Sequence, residues 1–275
     1  MRSSNPVFRR RFPSSDGYAA FGTDAAAATT PYGFNGTYGG GNPYTITHRQ
    51  QHQAPAAGRM TMDDVIAHTS VTLGTVAVGA LLAWFALPVT AAGYGVAFGT
   101  GLVAMLLGLV QWFRRTASPT LIISYAAFKG VSLGVISHMS NEAWQGVPVQ
   151  AVLGTMAVFA GMLLAYKTQL IRVTQHYYRI GMAIAFGFML LLVVNLLFAA
   201  FGGDLVSGGP GILVGAVGVL LGAFFLSLDF KRIEDGVRYG APRSESWLAA
   251  FGLTLSLVWL YVEMLRLITL LRGDD

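Results

Sequence analysis

Seven apolar segments, each near 20 residues long, follow one another from residue 65 almost to the end of the sequence. About 20 apolar residues in a helix cross the ~30 Å of hydrocarbon in a membrane. The predicted spans are residues 65–88, 91–113, 119–138, 147–166, 178–201, 211–230 and 247–271. These runs are continuous, whereas the strands of a membrane barrel alternate in polarity over ~10 residues. The sequence therefore predicts an all-α membrane protein, with a seven-helix bundle in residues 61–275.

The composition excludes several classes of protein. Charged residues make up 11% of the chain and hydrophobic residues 54%, whereas an ordinary soluble domain has about 25% charged residues. The chain has no cysteine, which excludes disulfides and thiolate chemistry. No pattern of basic and aromatic residues points to a nucleic acid. We expect a protein of the lipid bilayer that is not an enzyme, holds no metal and needs no cofactor.

Residues 1–60 differ in composition from the rest of the chain. They are rich in Gly, Ser, Thr, Asn, Ala, Pro and Gln, with no sustained apolar period, so they are predicted to form a disordered tail. The opening MRSSNPVFRRRF has no apolar core of a signal peptide behind it. His48 and His52 have the i, i+4 spacing of a metal site, but we interpret them as solvated polar residues.

The distribution of basic residues predicts the orientation. All of the 18 Lys and Arg residues lie in the tail or in the second, fourth and sixth loops, except Lys129, Arg266 and Arg272. Lys and Arg accumulate in the cytoplasmic loops of membrane proteins. The first, third and fifth loops contain no Lys or Arg, so basic loops alternate with loops that lack them. This alternation fits an odd number of spans, with the N-terminus in the cytoplasm and the C-terminus outside.

Four ionisable residues lie within predicted spans, namely Lys129, Asp229, Glu263 and Arg266. Such a residue at the centre of a membrane costs ~2.5–3.5 kcal/mol on insertion scales, so each is a candidate functional residue. Asp229 alternatively marks the end of its span. Glu263 alternatively forms a local ion pair with Arg266, one turn later, and Arg266 alternatively reaches the outer interface. Lys129 either extends to an interface or serves as a buried counter-ion for Glu263.

Glycines spaced by four residues recur in the spans. GVSLG at residues 130–134 matches a G-x-S-x-G pattern, but it lies within a predicted helix and has no strand before it. Helix packing through Gly130 and Gly134 is the preferred interpretation, because small residues let membrane helices approach closely. The pairs with the same interpretation are Gly95 with Gly99 and Gly218 with Gly222.

The sequence of the last two spans resembles that of a known protein family. LDFKRIEDG followed by LYVEMLRLITLLRGDD is similar to the end of the Bax inhibitor-1 family, which includes bacterial YccA-like proteins. The opening SNPVF and VQAVLGTMAVFAGMLLAYKTQLIRVT at residues 149–174 resemble an actinobacterial branch. The resemblance implies a seven-helix bundle of the bacterial cytoplasmic membrane that acts as a pH-sensitive cation leak. Calcium is the favoured ion.

The resemblance also implies roles for particular residues. A carboxylate pair from the last two helices, Asp229 and Glu263, is expected to share a proton and close the pore. Arg114, at the cytoplasmic end of the second span, is expected to latch onto Asp229, with Arg115 as the alternative. Simple antiparallel spans would place the two acids at different depths, so we expect tilt or an early start of the seventh helix to bring them together. Glu263 stands where aspartate is commoner in the family.

A different class of function fits the same residues. In it, the protein is a non-conducting membrane scaffold, or a modulator of membrane proteases and other membrane proteins. The acidic residues would then only stabilise the bundle.

Overall fold

The computed structural model describes residues 58–88, 90–114, 116–203 and 208–273. The helices are α1 (Met62–Ala86), α2 (Ala91–Phe113), α3 (Pro119–Ala143), α4 (Val147–Lys167), α5 (Gln175–Ala200), α6 (Gly208–Arg238) and α7 (Glu245–Gly273). All seven are long and apolar enough to cross a membrane. The predicted class, an all-α bundle of seven membrane helices, is confirmed.

Threonine side chains cap the first turns of several helices. Thr61 Oγ1 accepts a hydrogen bond from the Asp64 amide at 3.2 Å, and the Asp64 carboxylate accepts one from the Thr61 amide. This reciprocal arrangement is a capping box, which satisfies amides that lack partners within the helix. Thr90 and Thr174 accept amide hydrogen bonds in the same position before α2 and α5.

Helix α7 lies at the centre of the bundle. It packs against α1, α3, α4 and α6. Within the described part of the chain, the backbone of α2 approaches only α3 and that of α5 only α6, although side chains of both helices also reach α7. Leu226 on α6 and Leu260 on α7 are fully buried in the largest apolar cluster. Thr72 on α1 and Thr254 on α7 are also fully buried, with their hydroxyl oxygens 2.8 Å apart. Such polar contacts hold membrane helices together where lipid provides no hydrophobic driving force.

Glycines set the close approach of α3 to α1. A Cβ atom on Gly130 would lie 2.4 Å from the Val76 carbonyl oxygen, and one on Gly134 would lie 2.2 Å from that of Ala80. The predicted packing role of this pair is therefore confirmed. The same prediction is wrong for Gly95 and Gly99, because a Cβ at either position would meet nothing within 4 Å.

Helix α6 continues for two turns beyond the predicted span. The predicted span ends at residue 230, whereas the helix runs to Arg238. Lys231 Nζ lies 2.7 Å from the Asp235 carboxylate one turn later, and Ile233 is buried. Residues 231–238 thus remain helical, with Ile233 packed in the apolar core and charged side chains on the outer face.

Residues just before α1 are packed against the α6–α7 connection. The Met60 amide donates to the Ala241 carbonyl at 2.8 Å, and the Arg243 amide donates to the Gly58 carbonyl at 2.7 Å. Met60 is buried, and Arg243 pairs with Asp64 at 2.9 Å. The predicted tail, residues 1–60, otherwise lies outside the described residues, as do its two histidines.

Candidate functional site at the α6–α7 interface

Asp229 lies on the face of α6 that contacts α7. Its Oδ2 accepts a hydrogen bond of 2.5 Å from the Ser256 hydroxyl. A Cβ atom on Gly252 would lie only 2.8 Å from Oδ1, so the missing side chain makes room for the carboxyl group. Asp229 is half-buried, and α6 continues past it to Arg238. The helix therefore does not end at Asp229, and the alternative in which Asp229 marks the end of the membrane span stays open.

Glu263 occupies a second position on the same interface. Its residue is 5% exposed, and its carboxyl group packs on Gly218 of α6, where a Cβ would lie 2.6 Å from Oε2. Arg266 Nη1 lies 3.7 Å from Oε2, so the local ion pair within α7 is formed. Oε2 is nevertheless buried without a hydrogen-bond partner among the described residues. A buried carboxyl oxygen with so little compensation is costly.

The structure separates the two acids along the interface. Asp229 meets Gly252 and Ser256 on α7, whereas Glu263 meets Gly218 on α6. Gly218 precedes Asp229 by 11 residues, which is about 16 Å of helix axis. The expected proton shared directly between Asp229 and Glu263 is therefore wrong for this conformation. Helix α7 does begin early, at Glu245, but its antiparallel packing on α6 keeps the acids at different levels.

Small and polar residues complete the interface between the two acids. The Trp259 indole donates to the Gly218 carbonyl at 3.1 Å and packs edge-on against Phe188 of α5. Sequence reasoning missed both Ser256 and Trp259. A signal was present, because Ser256 precedes Glu263 by seven residues, or two helical turns, and so shares its face.

Lys129 is not the counter-ion of Glu263. Among the described residues, the ion pair of Glu263 is with Arg266, and no hydrogen bond or ion pair involves Lys129. Lys129 instead lines a groove between α2 and α3. The prediction of a Lys129–Glu263 pair is wrong, because the helical rotation of α3 directs Lys129 towards α2.

The predicted latch is not formed in this conformation. Arg114 is exposed at the C-terminal cap of α2. Among the described residues its side chain forms no hydrogen bond or ion pair with Asp229, which instead bonds to Ser256. The alternative latch, Arg115, lies outside the described residues.

The α6–α7 interface holds two carboxyl groups, those of Asp229 and Glu263, at different levels along the helices. Carboxylate oxygens are the ligands that hard cations such as Ca²⁺ prefer. Each group can also hold or release a proton, and the charge of the interface changes with that proton. Both cation binding and proton exchange require Gly252 opposite Asp229 and Gly218 opposite Glu263. These glycines leave space for the carboxyl groups between two closely packed helices.

Comparison with known proteins agrees with the fold and with the resemblance at the last two spans. The sequence model of the family described as Bax inhibitor 1 like matches residues 5–273. No curated protein matches the chain in a direct sequence search. Because the match extends over nearly the whole chain, the protein belongs to the Bax inhibitor 1 like family of membrane proteins.

Proposed function

We propose that the protein is a pH-sensitive cation leak, with calcium as the favoured ion. The observation that carries this proposal is the position of two carboxyl groups, buried Glu263 and half-buried Asp229, at separate levels of the α6–α7 interface. Ionisable residues at membrane depth are expensive, and they commonly mark ion pathways and proton relays. The proposed activity involves no chemical step and no cofactor.

Buried Glu263 supports the proposal most strongly. Its Oε2 has no hydrogen-bond donor within the described residues, and it packs on the Gly218 backbone. A residue retained only for packing would have its oxygens satisfied, because an unsatisfied buried polar group costs about 1–3 kcal/mol. A passing cation or a proton would supply the missing partner.

Gating by pH follows from the same groups without a shared proton. When both carboxyl groups are neutral, α6 and α7 pack closely through Gly218 and Gly252. Loss of the Asp229 proton leaves a negative charge between the helices, and loss of the Glu263 proton leaves one that is offset only by Arg266 at 3.7 Å. Either charge favours entry of water or a cation between the helices. The interface is then a two-state element biased by protonation.

We further propose that the protein lies in a bacterial cytoplasmic membrane with its N-terminus in the cytoplasm. The distribution of Lys and Arg between alternate loops supports this orientation. In it, the α6–α7 connection faces the cytoplasm, and Asp229 lies nearer the cytoplasmic side than Glu263 does.

The direct test is calcium efflux from vesicles that contain the purified full-length protein, measured over a range of pH. Wild type should leak in a pH-dependent manner, and Asp229→Asn or Glu263→Gln should alter that dependence. Glu142→Gln is a matched control, because its side chain is 61% exposed at the end of α3 and is remote from α6. A control that changes the profile as much as the two test variants would reject the assignment.

A second candidate function is a non-conducting scaffold or a modulator of membrane proteases and other membrane proteins. Helix α5 favours it, because its backbone approaches only α6 within the described chain and much of its apolar surface, including Phe186 and Leu196, is exposed. Absence of leak at every pH, together with capture of partners by wild type and by both acid variants, would favour this function.

A further inference from the structure

A groove of about 640 Å³ lies between α2 and α3, away from the α6–α7 interface. This volume is within the ~300–1,000 Å³ that small-molecule sites usually have. Its walls are predominantly apolar, formed by Tyr94, Phe98, Leu102, Met105, Ile136 and Met139. The groove is therefore suited to the hydrocarbon part of a ligand.

Lys129, Ser132 and Ser140 add polar groups to the lining of this groove. Lys129 lies 10 residues after Pro119 and 14 before Ala143, or about 15 Å and 21 Å from the ends of α3. Within the described chain its ammonium has no ion pair and no hydrogen bond. A charged group at that depth is costly when alone, so the groove contains an unsatisfied cation beside apolar walls.

The groove opens sideways from the bundle. Phe98 is 70% exposed and Met105 is 58% exposed, and in the described residues the backbone of α2 is approached by α3 alone. At this depth the surface of the bundle faces lipid rather than water. A ligand therefore enters from the hydrocarbon of the membrane.

Charge and depth together select the ligand. We propose that the groove binds a long-chain carboxylic acid from the bilayer, with its carboxyl group against Lys129 and Ser132 and its chain along Phe98 and Met105. A protonated fatty acid carries no charge through the hydrocarbon, so it reaches the middle of the membrane at low cost. Its carboxyl group then forms a hydrogen bond with Lys129, whichever of the two groups holds the proton.

A phospholipid is a poorer fit for the same site. Its headgroup is large, polar and held at the interface, about 15 Å of helix from Lys129. Pulling that headgroup to the middle of the bilayer would bury many polar atoms, whereas a single carboxyl group buries two oxygens. The site is also separate from the two acids, so binding can be measured whether or not the protein conducts ions.

The experiment uses full-length protein in nanodiscs of neutral phosphatidylcholine, with a photoactivatable diazirine analogue of stearic acid as the probe. Labelled peptides should come from α2 and α3, and oleate should displace the label whereas oleyl alcohol should not. Lys129→Met should weaken displacement by oleate about tenfold, and Lys129→Arg should retain it. Lys167→Met, which removes an exposed lysine at the end of α4, is the matched control and should leave binding unchanged.

Several outcomes would overturn the proposal. Label spread equally over α5, or equal displacement by oleyl alcohol, would show ordinary contact with lipid. If oleate displaces the label from Lys129→Met as well as from wild type, the Lys129 ammonium does not bind the carboxyl group. Displacement by phosphatidylglycerol but not by oleate would assign the groove to a phospholipid instead. Lys129→Met removes a half-buried cation, so it is expected to fold, and its thermal unfolding should be recorded beside that of wild type.

Discussion

Ser256→Ala should weaken the contact between α6 and α7 through the loss of a single hydrogen bond. The Ser256 hydroxyl donates to Asp229 at 2.5 Å, and Ser256 is buried. Hydrogen bonds between membrane helices average about 0.6 kcal/mol and reach about 1.7 kcal/mol. We expect a loss of about 1–1.7 kcal/mol of unfolding free energy, in the upper part of that range, because the acceptor is a half-buried carboxyl group.

Unfolding in SDS titrations of the detergent-solubilised protein provides the assay. The same substitution in an Asp229→Ala background should cost less than about 0.5 kcal/mol, because the serine then bonds only to its own helix. Ser70→Ala is a matched control, since this exposed hydroxyl donates to the Ile66 carbonyl within α1. Equal losses in both backgrounds would refute the reasoning, because they would show that Ser256 does not act through Asp229.

Three further predictions concern the bundle and its charges. Gly130→Ala should destabilise the protein by about 1–3 kcal/mol in the same titration, because its Cβ would meet the α1 backbone, whereas Gly99→Ala should have little effect. Thr72→Val should cost about 0.6 kcal/mol, since the partner hydroxyl keeps a bond to its own helix. The losses of unfolding free energy in Lys129→Met and Glu263→Gln should add to that of the double variant within about 0.5 kcal/mol. A larger coupling would show that Lys129 and Glu263 do form an ion pair.

The number and order of the helices could be predicted from the sequence because hydrophobic length constrains them directly. A span needs about 20 apolar residues whatever its neighbours are, and the glycines in GVSLG already indicated a close helix contact. The end of α6 was harder to predict. Its polar turns remain helical through a Lys231–Asp235 pair and buried Ile233, which hydropathy alone does not detect.

The relations between ionisable residues could not be predicted from the sequence. Asp229 and Glu263 were identified individually from their cost at membrane depth, but their levels depend on how α7 slides along α6. The partner of Lys129 depends on the rotation of α3, which turns this residue towards α2. The composition of a span does not reveal how its helix is translated or rotated relative to its neighbours. The pair of Glu263 with Arg266 could be predicted, because the two residues are three positions apart on one helix.

The most direct measurement of the central claim is calcium efflux, at several pH values, from vesicles that contain wild type or the Asp229→Asn, Glu263→Gln double variant. If the two carboxyl groups of the α6–α7 interface govern a cation leak, wild type leaks in a pH-dependent manner and the folded double variant loses that dependence. An efflux from wild-type vesicles no faster than from protein-free vesicles, or an unchanged pH profile in the double variant, would contradict the account.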